Sequence, residues 1–273
     1  QEQEEERERL LTNEKIVERE GGKEKALNAV RFPNILAILG VRRCGKSVFS
    51  WLLLKGKKYG YLNFDDEALY GMKAQDLNLV LKSFYELYGT DLEYVVLDEI
   101  QNVNGWELFA NRLRRTKKVV ITGSNSRLLS GELATHLTGR HIDFTLFPFS
   151  FREFLTYKDI SFKELIAREY STDTSVIAEG ALREYMLNGG LPEAYKFGKG
   201  IVKSIFRDIV TKDVIRRHNI KSIGVIETLA KYLVSNFSSE ITYNKLKNIF
   251  EVKIATMRKY VNYFREAYLI HVL

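Results

Sequence analysis

Short apolar runs alternate with amphipathic stretches through the first half of the chain. The apolar runs have the length and composition of strands, and the strands that they predict, two of them with polar ends, occupy residues 35–39, 59–64, 94–99, 119–125 and 142–146. Between them, apolar residues recur every three or four positions, as on one face of a helix, at residues 48–54, 77–87, 106–113 and 128–137. Parallel strands buried on both faces read as near-continuous apolar runs and need helical crossovers. The alternation therefore predicts an α/β domain with three layers around a parallel sheet.

Helical patterns replace strand patterns after residue 150. The predicted helices cover residues 151–157, 162–170, 175–187, 201–217, 224–236, 243–250 and 254–267. A glycine-rich sequence predicts a sharp turn at residues 188–192, and the apolar residues 268–273 predict a final strand.

The N-terminal residues have a different composition from the rest. Residues 1–20 alternate Glu with Arg, which predicts a solvated helix or a frayed tail without chemistry of its own, and a short helix is expected at residues 23–31. We therefore divide the chain into a charged helical extension, an α/β domain, a helical region and a C-terminal domain, at residues 1–32, 33–149, 150–222 and 223–273.

Composition narrows the class of protein. Hydrophobic residues make up 45% of the chain, and the sequence holds no run of apolar residues long enough to predict a membrane span. The charged start argues against a secretory signal, and a single cysteine, Cys44, allows neither an intramolecular disulfide nor a cysteine zinc site. We therefore expect a cytoplasmic protein without membrane contact. Abundant Lys, Glu and Ile, with only four Gln, lean toward a thermophilic source.

The first strand leads directly into a glycine loop with the pattern G-x-x-x-x-G-K-S. Its residues are Gly40, Val41, Arg42, Arg43, Cys44, Gly45, Lys46 and Ser47, and a helix pattern begins at Val48. Glycines let the backbone fold around a triphosphate, and the amides at the helix start point at the anion. We expect Lys46 to reach the β- and γ-phosphates and Ser47 to hold Mg²⁺. The loop from Gly40 to Val48 therefore predicts ATP and Mg²⁺ as ligands, the alternative being a turn that only has this pattern.

Cys44 admits two interpretations. Lys46 and the helix start could lower the pKa of its thiol, or the side chain could simply fill the loop.

Polar residues follow two of the buried strands, where ligands of parallel sheets gather. Asp98 and Glu99 end the third strand, and we expect Asp98 to bind Mg²⁺ and Glu99 to orient the attacking water. The alternative is a pair of surface acids in a turn. Asn125 ends the fourth strand and is our choice for holding that water against the γ-phosphate, with Ser124, or a plain turn, as the alternatives.

One arginine precedes the fifth strand. Arg140 could be offered to the γ-phosphate of a neighbouring subunit, which predicts a homo-oligomer, or it could be a cation at a helix end. Arg114 and Arg115 are the next candidates.

The C-terminal residues combine a helix-turn-helix pattern with positive charge. Residues 196–273 hold fifteen basic and six acidic side chains, net +9, whereas residues 21–195 are net +2. The outer face of the predicted second helix carries Lys253, Arg258, Lys259 and Arg265, which we expect to contact DNA, with residue 268 onward as a wing strand. The alternative is a domain that packs on the nucleotide domain instead.

Together, the segments GVRRCGKS, YLNFDDE, VVLDEIQ, ITGSNSRLLS, LFPFSFREF and GGLPE resemble the AAA+ superfamily. The similar branch consists of archaeal and bacterial ATP-binding proteins with a helical lid and a winged helix after the ATPase core. The resemblance implies Walker A roles for Lys46 and Ser47, Walker B roles for Asp98 and Glu99, a sensor 1 role for Asn125 and an arginine finger at Arg140. It covers residues 35 to 195 well and the remainder less closely.

Pro192 enters through a further likeness. Gly190-Leu191-Pro192 looks like the G-x-P motif of STAND switch ATPases, whose proline touches adenine. Two departures stand out: no sensor 2 arginine is evident, and relatives commonly continue into a further domain.

We therefore expect Mg²⁺-dependent ATP hydrolysis coupled to a conformational change that acts on DNA. The other hypothesis is a STAND-like nucleotide switch that binds a protein partner and turns over slowly. A kinase fits less well, because a carboxylate behind Asp98 suits a water nucleophile.

Overall fold

The computed structural model describes residues 2–20, 22–31, 33–125, 137–167 and 172–272. Within them, five parallel strands form one sheet in the order β2-β3-β4-β1-β5. The strands are β1 (Ile35–Leu39), β2 (Tyr59–Asn63), β3 (Tyr94–Asp98), β4 (Lys118–Gly123) and β5 (His141–Thr145). The parallel sheet and all five predicted strands are thereby confirmed.

Helices cover both faces of this sheet, as the pattern predicted. They are α1 (Glu2–Asn13), α2 (Lys23–Arg31), α3 (Lys46–Leu53), α4 (Leu77–Tyr88) and α5 (Trp106–Leu113). Alternate strand residues face opposite sides, so Leu36, Ile38 and Val96 pack toward α2 and α3. Leu39, Val95 and the other strand residues on the opposite side of the sheet pack toward α4 and α5. The helix predicted at residues 128–137 lies, apart from Leu137, outside the described residues.

The remainder of the described chain is helical. It contains α6 (Phe151–Tyr157), α7 (Phe162–Ala167), α8 (Thr172–Asn188), α9 (Pro192–Phe197), α10 (Gly200–Asp208), α11 (Ile223–Ser235), α12 (Tyr243–Phe250) and α13 (Ile254–Glu266). We call residues 150–222 the helical region. The apolar core on the α2 and α3 face of the sheet continues into this region and on to α13. No helix within the described ranges has both the length and the apolar character needed to cross a bilayer.

One predicted helix has a different geometry from the expected one. The α-helical pattern of residues 201–217 ends at Asp208, and Ile209–Arg216 is π-helical. The wider turn buries Ile209, Val210 and Val214 together with the carboxylate of Asp213. A hydrophobic pattern cannot distinguish the two helix types over so short a segment.

The predicted final strand is wrong for the residues that the structure describes. Tyr268, two residues after the end of α13, has a left-handed φ of 57°, and residues 269–272 form no strand. A wing requires a partner strand, and Leu269 and Ile270 instead pack against the shared core. The structure therefore supports a helix-turn-helix of α12 and α13, and it does not support a winged helix.

The N-terminal extension begins with the mostly exposed helix that its composition predicted, α1, but it is not a free tail. Helix α1 ends at Asn13, and the residues after it contact the helical region, Glu14 through Lys196 and Lys15 through Asp159. Arg19 forms a buried ion pair with Glu153 of α6, Nε to Oε1 at 3.0 Å, with only 7% and 6% of the two side chains exposed. Arg19 also donates to the carbonyl of Cys44 at 2.9 Å. The extension is thus fixed against the glycine loop.

Removing Arg19 is therefore expected to destabilise the fold. Arg19→Ala leaves the Glu153 carboxylate buried without its cation, which typically costs about 3–5 kcal/mol. Lys15→Ala is the matched control, because its partner Asp159 is largely exposed and such pairs contribute about 0–1 kcal/mol. Urea unfolding of both variants measures the difference, and equal losses of unfolding free energy would contradict a structural role for Arg19.

Candidate functional site

The glycine loop is shaped by its two glycines. A Cβ on Gly40 would lie 2.2 Å from the backbone oxygen of Leu146, a distance that no side chain tolerates. Gly45 stands before α3 with a φ of 96°, in the left-handed region that favours glycine. Arg43 also has a left-handed φ, 66°, which is uncommon for a residue with a side chain. The loop is therefore held in one tight conformation between β1 and α3.

Lys46 lies buried at the start of α3 and points back over the loop. Its Nζ donates to the carbonyls of Gly40 and Val41, both at 3.2 Å. The same atom lies 3.6 Å from Oε1 of Glu99. The ammonium thus stands between the glycine loop and the end of β3, and phosphate oxygens would be stronger, charged acceptors than these two carbonyls.

Asp98 is fully buried at the end of β3. Its carboxylate accepts hydrogen bonds from the Tyr61 hydroxyl at 2.6 Å and from the Thr122 hydroxyl. Burial raises the pKa of Asp98, and the negative charge of Glu99 adds to that, while hydrogen bonds from Ser47, Thr122 and Tyr61 oppose it. A nearby divalent cation would favour the ionised carboxylate.

Ser47 and Asp98 are the two protein groups here that could hold Mg²⁺. The Ser47 hydroxyl is within hydrogen-bond reach of the Asp98 carboxylate. No cluster of three or more potential ligands occurs among the described residues. That donor set fits Mg²⁺, which in phosphate-binding sites takes one or two protein oxygens and completes its shell with phosphates and water.

Glu99 follows Asp98 with a strained, left-handed backbone, φ 51°. Its amide donates to the Thr122 hydroxyl at 3.0 Å, and its carboxylate accepts from the Gln101 amide. Burial alone would raise the pKa of Glu99, but the charge of Lys46, the Gln101 hydrogen bond and the charges of Arg42 and Arg217 lower it. Glu99 is therefore ionised at neutral pH and can accept a hydrogen bond from water.

The end of β4 contributes three buried polar side chains: Thr122, Ser124 and Asn125. Asn125, the predicted water-holding residue, and its alternative Ser124 both lie at this edge of the sheet. Ser124 donates to Asp213 of the helical region at 3.0 Å. Sequence reasoning missed Thr122, which contacts both Asp98 and Glu99; its only signal was a polar residue inside an apolar run.

Cys44 is a buried filler of the loop. Its thiol donates to the Leu146 carbonyl at 3.3 Å. Burial raises the pKa of Cys44, and the charges of Lys46 and Arg19 do not reverse that. The alternative of a thiol with a lowered pKa is therefore wrong.

The two loop arginines point toward the helical region. Arg42 donates to Asp213 through Nε at 3.0 Å and Nη2 at 3.3 Å. Arg43 pairs with Glu193 in the first turn of α9 at 2.9 Å. Asp213 belongs to no recognisable sequence motif, and only the fold brings it to the glycine loop.

An open cavity of about 530 Å³ adjoins the loop at Val41. It is lined mostly by aromatic and small residues: Phe147, Phe149, Tyr185, Gly190, Tyr268 and His271 among them. Gly190 must be small, because a Cβ there would lie 2.4 Å from the Phe149 carbonyl. Pro192, which the G-x-P likeness placed at the adenine, begins α9 and is not among the residues that line this cavity.

Arg140 lies exposed in the turn before β5. Burial and the positive charges of Arg140 and Arg115 lower the pKa of Arg114, so these three arginines share one positive patch. The three arginines that the sequence offered as candidates for a contact with a neighbouring γ-phosphate are therefore neighbours.

Family comparisons agree with this geometry. The model of the AAA domain family matches residues 33–155, and that of a domain of unknown function, DUF8612, matches residues 179–273. The Walker-type ATPase of Pyrococcus abyssi superimposes with a TM-score of 0.59 at 14% identity, covering 92% of this chain and 90% of that one. This likeness shows a shared fold.

Two curated relatives are uncharacterised proteins. One from Methanocaldococcus jannaschii is 35% identical over 88% of this chain and 57% of its own length. One from Haemophilus influenzae is 31% identical over 87% of this chain and 61% of its own. The chain thus spans about three fifths of their length. Residues 33–155 thus match the model of an AAA domain, and the glycine loop and the parallel sheet agree with that match to a P-loop ATPase domain.

Proposed function

We propose that this chain binds ATP with Mg²⁺ and hydrolyses it, and that hydrolysis changes how the helical region is held. The observation that carries this is the position of Lys46, which lies 3.6 Å from Glu99 at the end of the strand that also bears Asp98. The cation for the phosphates (Lys46), the metal ligand (Asp98) and the carboxylate that would orient water (Glu99) are therefore neighbours.

Each group has a distinct part in the proposed reaction. Lys46 and the loop amides hold the β- and γ-phosphates, while Ser47 and Asp98 hold Mg²⁺, which supplies positive charge to the phosphates. Glu99 accepts a hydrogen bond from the attacking water and orients it toward phosphorus. Asn125 or Ser124, at the end of β4, holds the same water from the other side.

The base of the nucleotide is assigned to the aromatic cavity beside Val41. Its volume of about 530 Å³ lies within the roughly 300–1,000 Å³ usual for small-molecule sites. Aromatic side chains provide flat apolar surfaces against which a purine stacks. This assignment replaces Pro192 with the residues around Phe149 and Gly190.

We also propose that α13 contacts DNA. Its apolar face, Met257, Val261 and Phe264, is buried in the core. The predicted contact residues Lys253, Arg258, Lys259 and Arg265 are all exposed, and none forms an ion pair with another described residue. A helix held on one face and basic on the other suits phosphate contacts.

The DNA proposal predicts a specific salt dependence. Replacing Arg258 and Lys259 together with alanine should weaken binding of all duplex sequences about equally. Each lost phosphate contact should reduce the log–log salt slope by about 0.9, so the slope should flatten by nearly two units. Fluorescence anisotropy at several salt concentrations measures it.

Lys55→Ala with Lys57→Ala is the matched control, because both lysines are exposed on the α/β domain and the charge change is the same. An unchanged slope in the Arg258 and Lys259 variant would exclude α13 as the contact. Absence of DNA binding by the wild type at low salt would favour the second candidate, a nucleotide switch with a protein partner. That candidate is supported by the direct contacts between the glycine loop and the helical region.

A homo-oligomer is proposed on the arginine patch of exposed Arg115 and Arg140 with half-buried Arg114. Such a patch could face the γ-phosphate of a neighbouring copy and stabilise its transition-state charge. The arginine-finger role of Arg140 stays a prediction.

A further inference from the structure

We propose that Asp213 acts as a latch. It forms an ion pair with Arg42 of the glycine loop, and the γ-phosphate of ATP breaks this pair by competing with Asp213 for the Arg42 guanidinium. The inference rests on the proposed function, because it assigns the route by which occupancy of the loop reaches the helical region. No motif in the sequence singles out Asp213.

The first observation is the set of donors around this carboxylate. Its side chain is only 2% exposed and accepts two hydrogen bonds from Arg42 and one from Ser124. Nη2 of Arg217 lies 3.7 Å from its Oδ1. These donors come from the glycine loop, the end of β4 and the helical region itself. One buried carboxylate thus joins three separate parts of the molecule.

The second observation is where Arg42 lies. Arg42 follows Val41 in the glycine loop, and the Val41 carbonyl accepts a hydrogen bond from Lys46 Nζ at 3.2 Å. Lys46 Nζ in turn lies 3.6 Å from Oε1 of Glu99, so Arg42 belongs to the loop that would hold the γ-phosphate. A phosphate bound in that loop competes with Asp213 for the Arg42 guanidinium, because one guanidinium cannot fully neutralise both anions.

The third observation is how Asp213 is attached to the helical region. It lies on the π-helical segment Ile209–Arg216, whose Ile209, Val210 and Val214 are buried in the shared core. A π-helical segment lacks the regular hydrogen bonding of an α-helix, and such segments are often found at functional sites. Since its neighbours anchor the segment in the core, loss of the Arg42 contact is transmitted to the packed helices around it.

A weaker second contact acts in the same direction. Arg43 and Glu193 pair at 2.9 Å, but their side chains are 56% and 23% exposed. Solvent screens such a pair, so its contribution is small. The buried contact of Asp213 with Arg42 is the principal one.

The test is the affinity of Asp213→Asn for two nucleotides. Asparagine keeps the shape and an acceptor for Ser124 but removes the charge that competes for Arg42. We expect the imido analogue of ATP to bind on the order of tenfold more tightly than to the wild type, with a smaller gain for ADP. Asp208→Asn is the control, since Asp208 has the same charge, is partly exposed and, among the residues that the structure describes, pairs with Lys212 alone; it should change both affinities less than twofold.

Hydrogen exchange on the wild-type protein tests the latch without a variant. The analogue should reduce protection of residues 192–217 relative to the nucleotide-free protein, and ADP should reduce it less. If Asp213→Asn does not fold, Glu193→Gln should still tighten binding of the analogue by a smaller factor.

Three results would overturn the latch while leaving ATP binding intact: unchanged or weaker analogue binding by Asp213→Asn, an equal gain for ADP, or increased protection of residues 192–217 with the analogue. If the wild type binds neither nucleotide, the proposed function fails, and the latch fails with it.

Discussion

Lys46→Ala is expected to lose nucleotide binding almost completely. The ammonium is the buried cation nearest to both the loop carbonyls and Glu99, so a triphosphate would lose its main positive contact. At an effective dielectric constant of about 20, one unit charge at about 4 Å is worth about 4 kcal/mol, or roughly a thousandfold in Kd. The Glu99 carboxylate, no longer neutralised, would repel the phosphates further. Titration calorimetry with ATP and Mg²⁺ measures the loss.

Two controls separate binding from folding in this experiment. Lys55→Ala removes an exposed lysine just beyond α3 and should bind ATP as the wild type does. Thermal unfolding of Lys46→Ala without nucleotide shows whether the variant is folded. Equal ATP affinity in a folded Lys46→Ala and the wild type would refute the assignment of this loop.

Glu99→Gln is expected to bind ATP but nearly stop hydrolysing it. Glutamine has the size and the hydrogen-bonding reach of glutamate but no negative charge to draw a proton from water. Groups of this kind typically contribute about 10²–10⁴-fold to rate. Affinity should stay the same or increase, because a buried negative charge near the phosphates has been removed.

The measurement for Glu99→Gln is phosphate release under saturating ATP, paired with a binding titration. Glu93→Gln is the matched control, since Glu93 is exposed just before β3, at the opposite end of that strand from Glu99, and its one ion pair within the described ranges is with Lys118. Turnover within about threefold of the wild type would exclude Glu99 as the group that orients water.

Local patterns predicted the α/β half of the molecule well. The strand runs are apolar because their residues are buried on both faces, and β1 and β3 are buried at every position. The glycine loop needs glycines where a Cβ would collide, as at Gly40. Such constraints act within a few residues, so they are visible in the sequence.

The contacts that complete the site are of another kind. Arg42 and Asp213 are 171 positions apart, and Arg19 and Glu153 are 134 apart. The sequence around each of these residues does not identify its distant partner. Only the packing of the helical region brings the two partners together and buries them. Local periodicity carries no information about such pairs.

The predicted wing failed for a related reason. An apolar run of six residues can be a strand or an irregular segment packed on a core. The partner of Leu269 and Ile270 turned out to be the core shared by the α/β domain and α13. Packing on the nucleotide domain was the alternative for this C-terminal part, and the apolar run by itself could not distinguish it from a wing strand.

The most direct test of the central proposal is Mg²⁺-dependent hydrolysis of ATP by the wild-type chain. Phosphate release should be measured with and without Mg²⁺, beside Glu99→Gln purified in the same way. We expect steady turnover that requires Mg²⁺ and falls at least a hundredfold in Glu99→Gln. Turnover that is absent from the wild type, or equal in the two proteins, would contradict it.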